Sequence, residues 1–206
     1  MTALFVTATG TDIGKTFVTA GLIRALRRAS RTVEAAKPVI SGFTNDGLAE
    51  SDTGRLLAAL GRDLVPAEAE RLSPWRFTAP LSPDMAAAAE GRAIDFEALL
   101  ADSRSRIAAA ADTLLIEGVG GIMVPLDDRH TVLDWMAALG LPVLLVAGSY
   151  LGTISHTLSA LDVLARRGVR VAALVVSETE RSTVGLEATL ATLRRFVQAD
   201  VEIVGL

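Results

Sequence analysis

The stretch that most restricts how this chain can fold lies at its start. An apolar run, Leu4-Phe5-Val6, passes through Thr7 into Ala8-Thr9-Gly10-Thr11-Asp12-Ile13-Gly14-Lys15-Thr16. An amphipathic segment follows, with Val18, Leu22, Ile23 and Leu26 at helical spacing. A strand, a turn of small residues and a helix opening at Lys15-Thr16 together read as a phosphate-binding loop. In such a loop backbone N–H groups face a polyphosphate and the positive end of the helix dipole adds to the attraction. Lys15 is placed to reach the β/γ-phosphates and the Thr16 hydroxyl to meet Mg²⁺. The usual spacing asks for glycine at position 9, where this chain has Thr9, but the Gly14-Lys15-Thr16 end is intact.

The rest of the chain keeps alternating. Strands are expected at 4–7, 33–37, 114–116, 143–147, 171–176 and 201–204. Helices are expected at 15–29, 53–60, 84–90, 96–111, 131–139, 153–167 and 182–197, three of them closed by Gly61, Gly140 and Gly168. Asp84 and Asp95 are candidate N-caps. Residues 61–83 read as loop-rich, with Pro66, Pro74, Pro80 and Pro83 as breakers. Strands separated by helices imply parallel pairing through right-handed crossovers. The expected architecture is a single α/β domain over residues 1–206, with a doubly wound, mainly parallel sheet covered by helices on both faces, as in phosphate-loop NTPases. Ligands of such sheets lie at the carboxyl ends of the strands.

Composition narrows the function classes. Half of the 206 residues are apolar, yet no run reaches the roughly 20 residues a bilayer span needs, and no basic-then-apolar leader opens the chain. The absence of cysteine excludes a disulfide framework and thiolate metal sites or nucleophiles. A cytoplasmic protein with no membrane partner is the expectation. The net charge of −4 and the lack of a basic stripe argue against a nucleic-acid partner. The one basic cluster, Arg24, Arg27, Arg28 and Arg31, falls toward a helix end, where it complements the dipole.

The residues that could carry chemistry fall at expected strand ends. The chain has two lysines, Lys15 and Lys37, against eighteen arginines, and both are expected to face one crevice. Lys37, in Lys37-Pro38-Val39-Ile40-Ser41-Gly42, is a compact point charge suited to an anionic oxygen that develops during reaction. Its plainer reading is a surface lysine. Asp52 precedes a helix and could cap it, project into the crevice, or both. Glu117 ends an apolar strand ahead of Gly118-Val119-Gly120-Gly121, whose glycines let backbone approach a ligand closely. Thr16, Asp52 and Glu117 would supply the few oxygen ligands that Mg²⁺ takes beside phosphate oxygens and water. Ser41 has no adjacent His/Asp arrangement, so a hydrolase triad is not expected. His130 and His156 read as structural. Gly152-Thr153-Ile154-Ser155 opens a helix that could receive a carboxylate or simply be capped.

Taken as an ordered set, these stretches resemble the dethiobiotin synthetase family over nearly the whole chain. The resemblance rests on the loop through Gly14-Lys15-Thr16, Lys37-Pro38-Val39-Ile40-Ser41-Gly42, Glu50-Ser51-Asp52, Ala79-Pro80-Leu81-Ser82-Pro83, Glu117-Gly118-Val119-Gly120-Gly121 and Leu141-Pro142-Val143 through Thr157. That family's loop carries an extra residue, which puts Ala8 where the first glycine usually stands. The resemblance implies an ATP- and Mg²⁺-dependent ligase, a homodimer, that adds CO₂ to 7,8-diaminopelargonate and closes a ureido ring through a carbamate and a carbamic–phosphoric anhydride. It implies Lys37 and Lys15 as catalytic. It implies nucleotide contacts from Asp12, Ile13, Gly14, Lys15, Thr16, Phe17, Asp52, Glu117, Gly118, Val119, Gly120 and Ser177. It implies Mg²⁺ held through Thr16, Asp52 and Glu117, and substrate contacts from Thr11, Lys37, Ser41, Gly152, Thr153 and Ser155, the carboxylate end crossing the dimer interface.

Three departures accompany it. Gly10 replaces an acidic loop residue, Ser177-Glu178 stands where Asn-Asp often reads the base, and the chain ends at Leu206 without a Gly-x-x-Pro segment. Weak discrimination between ATP and other triphosphates is therefore expected. The alternative from another class is a dimeric phosphate-loop switch without ligase activity. Such proteins often carry a second lysine near the loop's start, where this chain has Thr9 to Thr11. A glutamine-dependent ligase would need a cysteine.

Overall fold

The computed structural model describes residues 2–179 and 182–206. In chain order the elements are β1 (Thr2–Ala8), α1 (Lys15–Arg28), β2 (Val33–Ala36), β3 (Val39–Ile40), a 3₁₀ turn (Leu48–Glu50), α2 (Asp52–Leu60), α3 (Pro66–Leu72), β4 (Trp75–Arg76), α4 (Pro83–Ala89) and α5 (Phe96–Ala109). They continue with β5 (Thr113–Glu117), α6 (Val132–Leu139), β6 (Val143–Gly148), α7 (Thr153–Arg166), β7 (Val171–Ser177), α8 (Leu186–Phe196) and β8 (Glu202–Gly205).

Six strands form one parallel sheet in the order β2-β5-β1-β6-β7-β8. The chain leaves β1 for β2 at one edge, returns inward to β5, then crosses to β6 on the other side. This reversal makes the carboxyl end of β1 the switch point at which such sheets bind ligands.

The strand sequences show why both faces are covered. All five residues of β5 are buried, and successive side chains of a strand point to opposite faces. Leu114 and Ile116 join one apolar cluster with Phe5, Val143 and Leu145. Leu115 joins another with Ile23, Leu56 and Leu57 from α1 and α2. An uninterrupted apolar strand is what a parallel sheet with helices on two sides requires.

Near the middle of the first cluster Trp135 is fully buried. It meets the Phe5 ring edge-on at 4.8 Å, and its Nε1–H donates to Ser103 Oγ at 3.1 Å. Trp135→Phe should lower unfolding free energy by about 1–3 kcal/mol, because it removes that bond and leaves a void. A denaturant midpoint equal to the parent's would contradict this.

Most expected elements are present, and the differences have local causes. Residues 61–83 are not simply loop. Pro66 sits in the first turn of α3, where its missing N–H costs nothing. Trp75–Arg76 pairs in parallel with Val39–Ile40 as a small second sheet. Helix α4 is entered through Ser82 and Pro83, so Asp84 lies inside its first turn rather than capping it. Asp95 does cap α5, accepting from Ala98 N–H at 3.0 Å. The last helix begins at Leu186, because Val184 N–H bonds the Ser182 hydroxyl in a local turn.

Candidate active site

The chain leaves β1 with Thr9 N–H bonded to Val146 O at 2.9 Å and turns through a loop with Asp12 at φ 57° and Gly14 at φ 91°. Helix α1 then starts without a side-chain cap and with no acidic residue in its first turn. Its free N–H groups and positive dipole end are thus left for an anion. Gly14 is required twice over: its φ is left-handed, and a Cβ there would lie 2.8 Å from Ser177 Oγ. Gly121 packs backbone to backbone on the loop, where a Cβ would stand 3.3 Å from Gly10 Cα and Thr9 O. The glycines after β5 therefore seat one loop on the other.

Four side chains, from the ends of β2 and β5 and the starts of α1 and α2, converge beneath this loop. Lys37, one residue past β2, is 1% exposed. Its Nζ lies 2.9 Å from Glu117 Oε1, 3.1 Å from Asp52 Oδ2 and 3.2 Å from Gly118 O. The Thr16 hydroxyl donates to the same Glu117 Oε1 at 2.7 Å. The second carboxylate oxygen, Glu117 Oε2, is buried with no hydrogen-bond partner among the described residues.

Asp52 is free to join because it is not the cap of α2. Ser51 caps it, accepting from Gly54 N–H at 3.1 Å and donating to Leu48 O at 2.7 Å.

The electrostatics follow from this geometry. Burial pushes the Lys15 ammonium below the ordinary lysine value, the Lys37 charge adds to the effect, and Glu117, Asp52 and Asp12 pull weakly the other way. Burial acts on Lys37 in the same direction, but Glu117 and Asp52 outweigh it and hold the ammonium above its ordinary value. For Asp52 burial would raise the carboxyl, and the Lys37 charge with the Thr16 hydroxyl overcomes it, holding the group ionised below the usual range.

These groups open on a cavity of about 630 Å³. Of the residues singled out in the sequence, Thr11, Asp12, Ile13, Gly14, Lys15, Thr16, Phe17, Lys37, Ser41, Asp52, Val119 and Gly120 line it. Glu117 and Gly118 lie directly behind, reached through Lys37. The Ser41 hydroxyl is buried with no partner among the described residues. Ser177 is not on the cavity; it backs Gly14.

Gly152, Thr153 and Ser155 lie at the start of α7, away from this cavity. Thr153 is buried and its hydroxyl is committed to Gly148 O at 2.6 Å. His130 is held by Asp127 at 2.9 Å and stacked on Phe96, and His156 Nδ1 meets Tyr150 Oη at 2.8 Å. Sequence reasoning missed Ser51, Gly54 and Arg55, which shape or line the site. It gave no role to Pro80–Pro83, which form the cavity's outer wall.

The fold resembles known phosphate-loop structures. The MinC:MinD cell division complex of Aquifex aeolicus superposes with a TM-score of 0.57 at 17% identity, over 98% of this chain and 79% of that one. MinD of Pyrococcus horikoshii with Mg-ADP gives 0.54 at 16%, over 92% and 76%. At these identities the likeness concerns the fold. A family model described as an AAA domain matches residues 2–206.

Fold and loop define a protein of the phosphate-loop class. The ATP-dependent dethiobiotin synthetase BioD of Acidiphilium cryptum is 51% identical over 200 residues, spanning 97% of this chain and 90% of its own length. The protein of that name from Caulobacter vibrioides NA1000 is 50% identical over 197 residues, spanning 95% and 88%. The chain belongs to the dethiobiotin synthetase family.

Proposed function

We propose that this chain closes the ureido ring of dethiobiotin from 7,8-diaminopelargonate, CO₂ and ATP. The observation that carries the reading is Lys37, an ammonium held charged between Glu117 and Asp52 on the same cavity as the phosphate loop and the free hydroxyl of Ser41. A buried fixed cation beside a polyphosphate cradle suits the joining of two anions, a carbamate and a phosphoryl group.

One amine of the substrate takes up CO₂ to form the carbamate. Lys37 holds the carbamate oxygen, with Thr11 and Ser41 near the diamine end. That oxygen attacks the γ-phosphorus as the bond to the bridging oxygen breaks and ADP leaves, with Lys15 balancing charge on the phosphates. The second amine then attacks the carbonyl carbon, loses its proton and expels phosphate. Positioning and electrostatics dominate such a site.

A divalent cation fits the residues present. Thr16, Asp52 and Glu117 offer only hard oxygen donors, and the unpartnered buried Glu117 Oε2 is a ready ligand atom. When bound, Mg²⁺ would neutralise charge across the phosphates. We further read the protein as a cytoplasmic homodimer with no nucleic-acid partner, in which the start of α7 at Gly152, Thr153 and Ser155 receives the substrate carboxylate from the other subunit. Among the described residues no helix is long and apolar enough to cross a membrane.

A phosphate-release assay with Mg-ATP, bicarbonate and the diamine, each omitted in turn, tests the reading. Release should vanish without the diamine; release that persists would mark a plain nucleotidase or switch. Base preference is a second expectation. With Ser177 packed on Gly14 and no Asn-Asp pair at 177–178, ATP should be favoured only weakly over GTP and CTP. Steady-state kinetics with ATP about a thousandfold better, roughly 4 kcal/mol of discrimination, would overturn it.

A further inference from the structure

The geometry points to Arg55 as a further cation for the phosphoryl-transfer step, an assignment that rests on the reading above. Three observations support it. First, Arg55 lines the catalytic cavity together with Lys15, Lys37 and Asp52. It stands three residues after Asp52 on α2, and positions three apart share one face of a helix. The turn that aims Asp52 at the lysines therefore aims Arg55 at the same space.

Second, Arg55 is exposed and has no carboxylate or carbonyl partner among the described residues. No other arginine among the described residues lines this cavity. Arg55 alone on this cavity keeps its whole guanidinium fork available for an incoming anion.

Third, the charges already in place leave no positive surplus. Lys15 and Lys37 are matched by Asp52 and Glu117, and two of those four groups are directly paired with Lys37. With Asp12 also on the cavity, a polyanionic nucleotide and a carbamate then enter a site in which three carboxylates face two lysines. The carbamate oxygen must approach a γ-phosphoryl group that is itself negative. A guanidinium presents a rigid planar fork that matches two equatorial phosphoryl oxygens, a geometry that the rotating ammonium of lysine does not preset. Arg55 would lie over those oxygens as the new O–P bond forms and the bridging O–P bond breaks, then release with the phosphate when the second amine closes the ring.

The test uses Arg55→Ala and Arg55→Lys in the full chain. Readouts are single-turnover ADP formation, KM for ATP and for the diamine, melting temperature, and rescue by added guanidinium ion. ADP formation in Arg55→Ala should fall about 10²-fold while both KM values move less than about threefold. Arg55→Lys should recover only part of the rate, low concentrations of guanidinium should restore part of the Arg55→Ala rate, and melting should stay at the parent's value.

Unchanged ADP formation overturns the assignment. So does a loss confined to the diamine KM, which would make Arg55 a contact for the substrate's carboxylate, and so does a loss that guanidinium leaves untouched. If the parent protein itself shows no diamine-dependent turnover, the ligase reading fails and the Arg55 result has no bearing on it.

Discussion

Lys37→Ala should reduce turnover by about 10³-fold or more, the range seen when one preorganised electrostatic group is removed from a dry site. Nucleotide affinity in the presence of magnesium should stay close to the parent's, because the loop N–H groups, Lys15 and the start of α1 remain. Lys37 also has a structural role. It is bonded to Glu117 Oε1, Asp52 Oδ2 and Gly118 O, and a buried carboxylate stripped of its cation costs about 3–5 kcal/mol.

Lys37→Gln separates the two roles. Its amide can still donate toward Glu117 while the charge is gone, so stability should largely return and turnover should not. Isothermal titration with a non-hydrolysable nucleotide, set beside turnover, is the measurement. A collapse of nucleotide affinity in the Gln variant would make Lys37 a phosphate anchor and remove it from the carbamate.

The second large effect is expected at a residue that touches no reacting atom itself. A Cβ on Gly54 would fall 1.9 Å from Leu48 O, 2.8 Å from Leu48 C and 3.1 Å from Ala49 Cα. All three are backbone atoms, so no rotamer relieves the clash. Gly54→Ala must push the start of α2 off the Leu48–Glu50 turn, breaking the Ser51 cap and withdrawing Asp52 from Lys37.

A loss of about 3 kcal/mol, at the upper end for overpacking, is expected, together with a fall in turnover of about 10²-fold even in molecules that remain folded. Alanine is the better helix former, so propensity alone argues for a gain, and the two expectations have opposite sign. A melting temperature at or above the parent's would show that the turn yields without cost.

Gly54 marks where the sequence stops being legible. The sheet could be read from its apolar runs, because a strand buried on both faces has no alternative pattern. The loop, Lys37 and Glu117 could be read because each follows such a strand at its carboxyl end. Asp52 was legible as a residue of the crevice, but whether it also capped the helix was not, since Ser51 and Asp52 are both good caps and only the observed bond from Gly54 N–H to Ser51 shows which one is free.

Gly54 and Arg55 left no local signal. Their importance comes from a contact with Leu48 and a cavity wall that exist only after α2 has packed. The same holds for Ser177, whose place behind Gly14 depends on two strands, β1 and β7, that are distant in sequence and separated in the sheet by β6. The helix inside 61–83 was hidden for another reason: four prolines in that stretch read as breaks, whereas one of them opens α3.

The order of the sheet has a consequence for a chain still emerging from the ribosome. β1 and β2 are made first but are never neighbours; the gap between them is filled by β5, which arrives some eighty residues later. Until Thr113–Glu117 slides in, the ends carrying Lys15 and Lys37 have no common wall. The strand that joins them also delivers the carboxylate on which Lys37 and Thr16 both rest. The growing polypeptide thus carries the residues of a phosphate cradle long before it carries Glu117, the acceptor shared by Thr16 and Lys37.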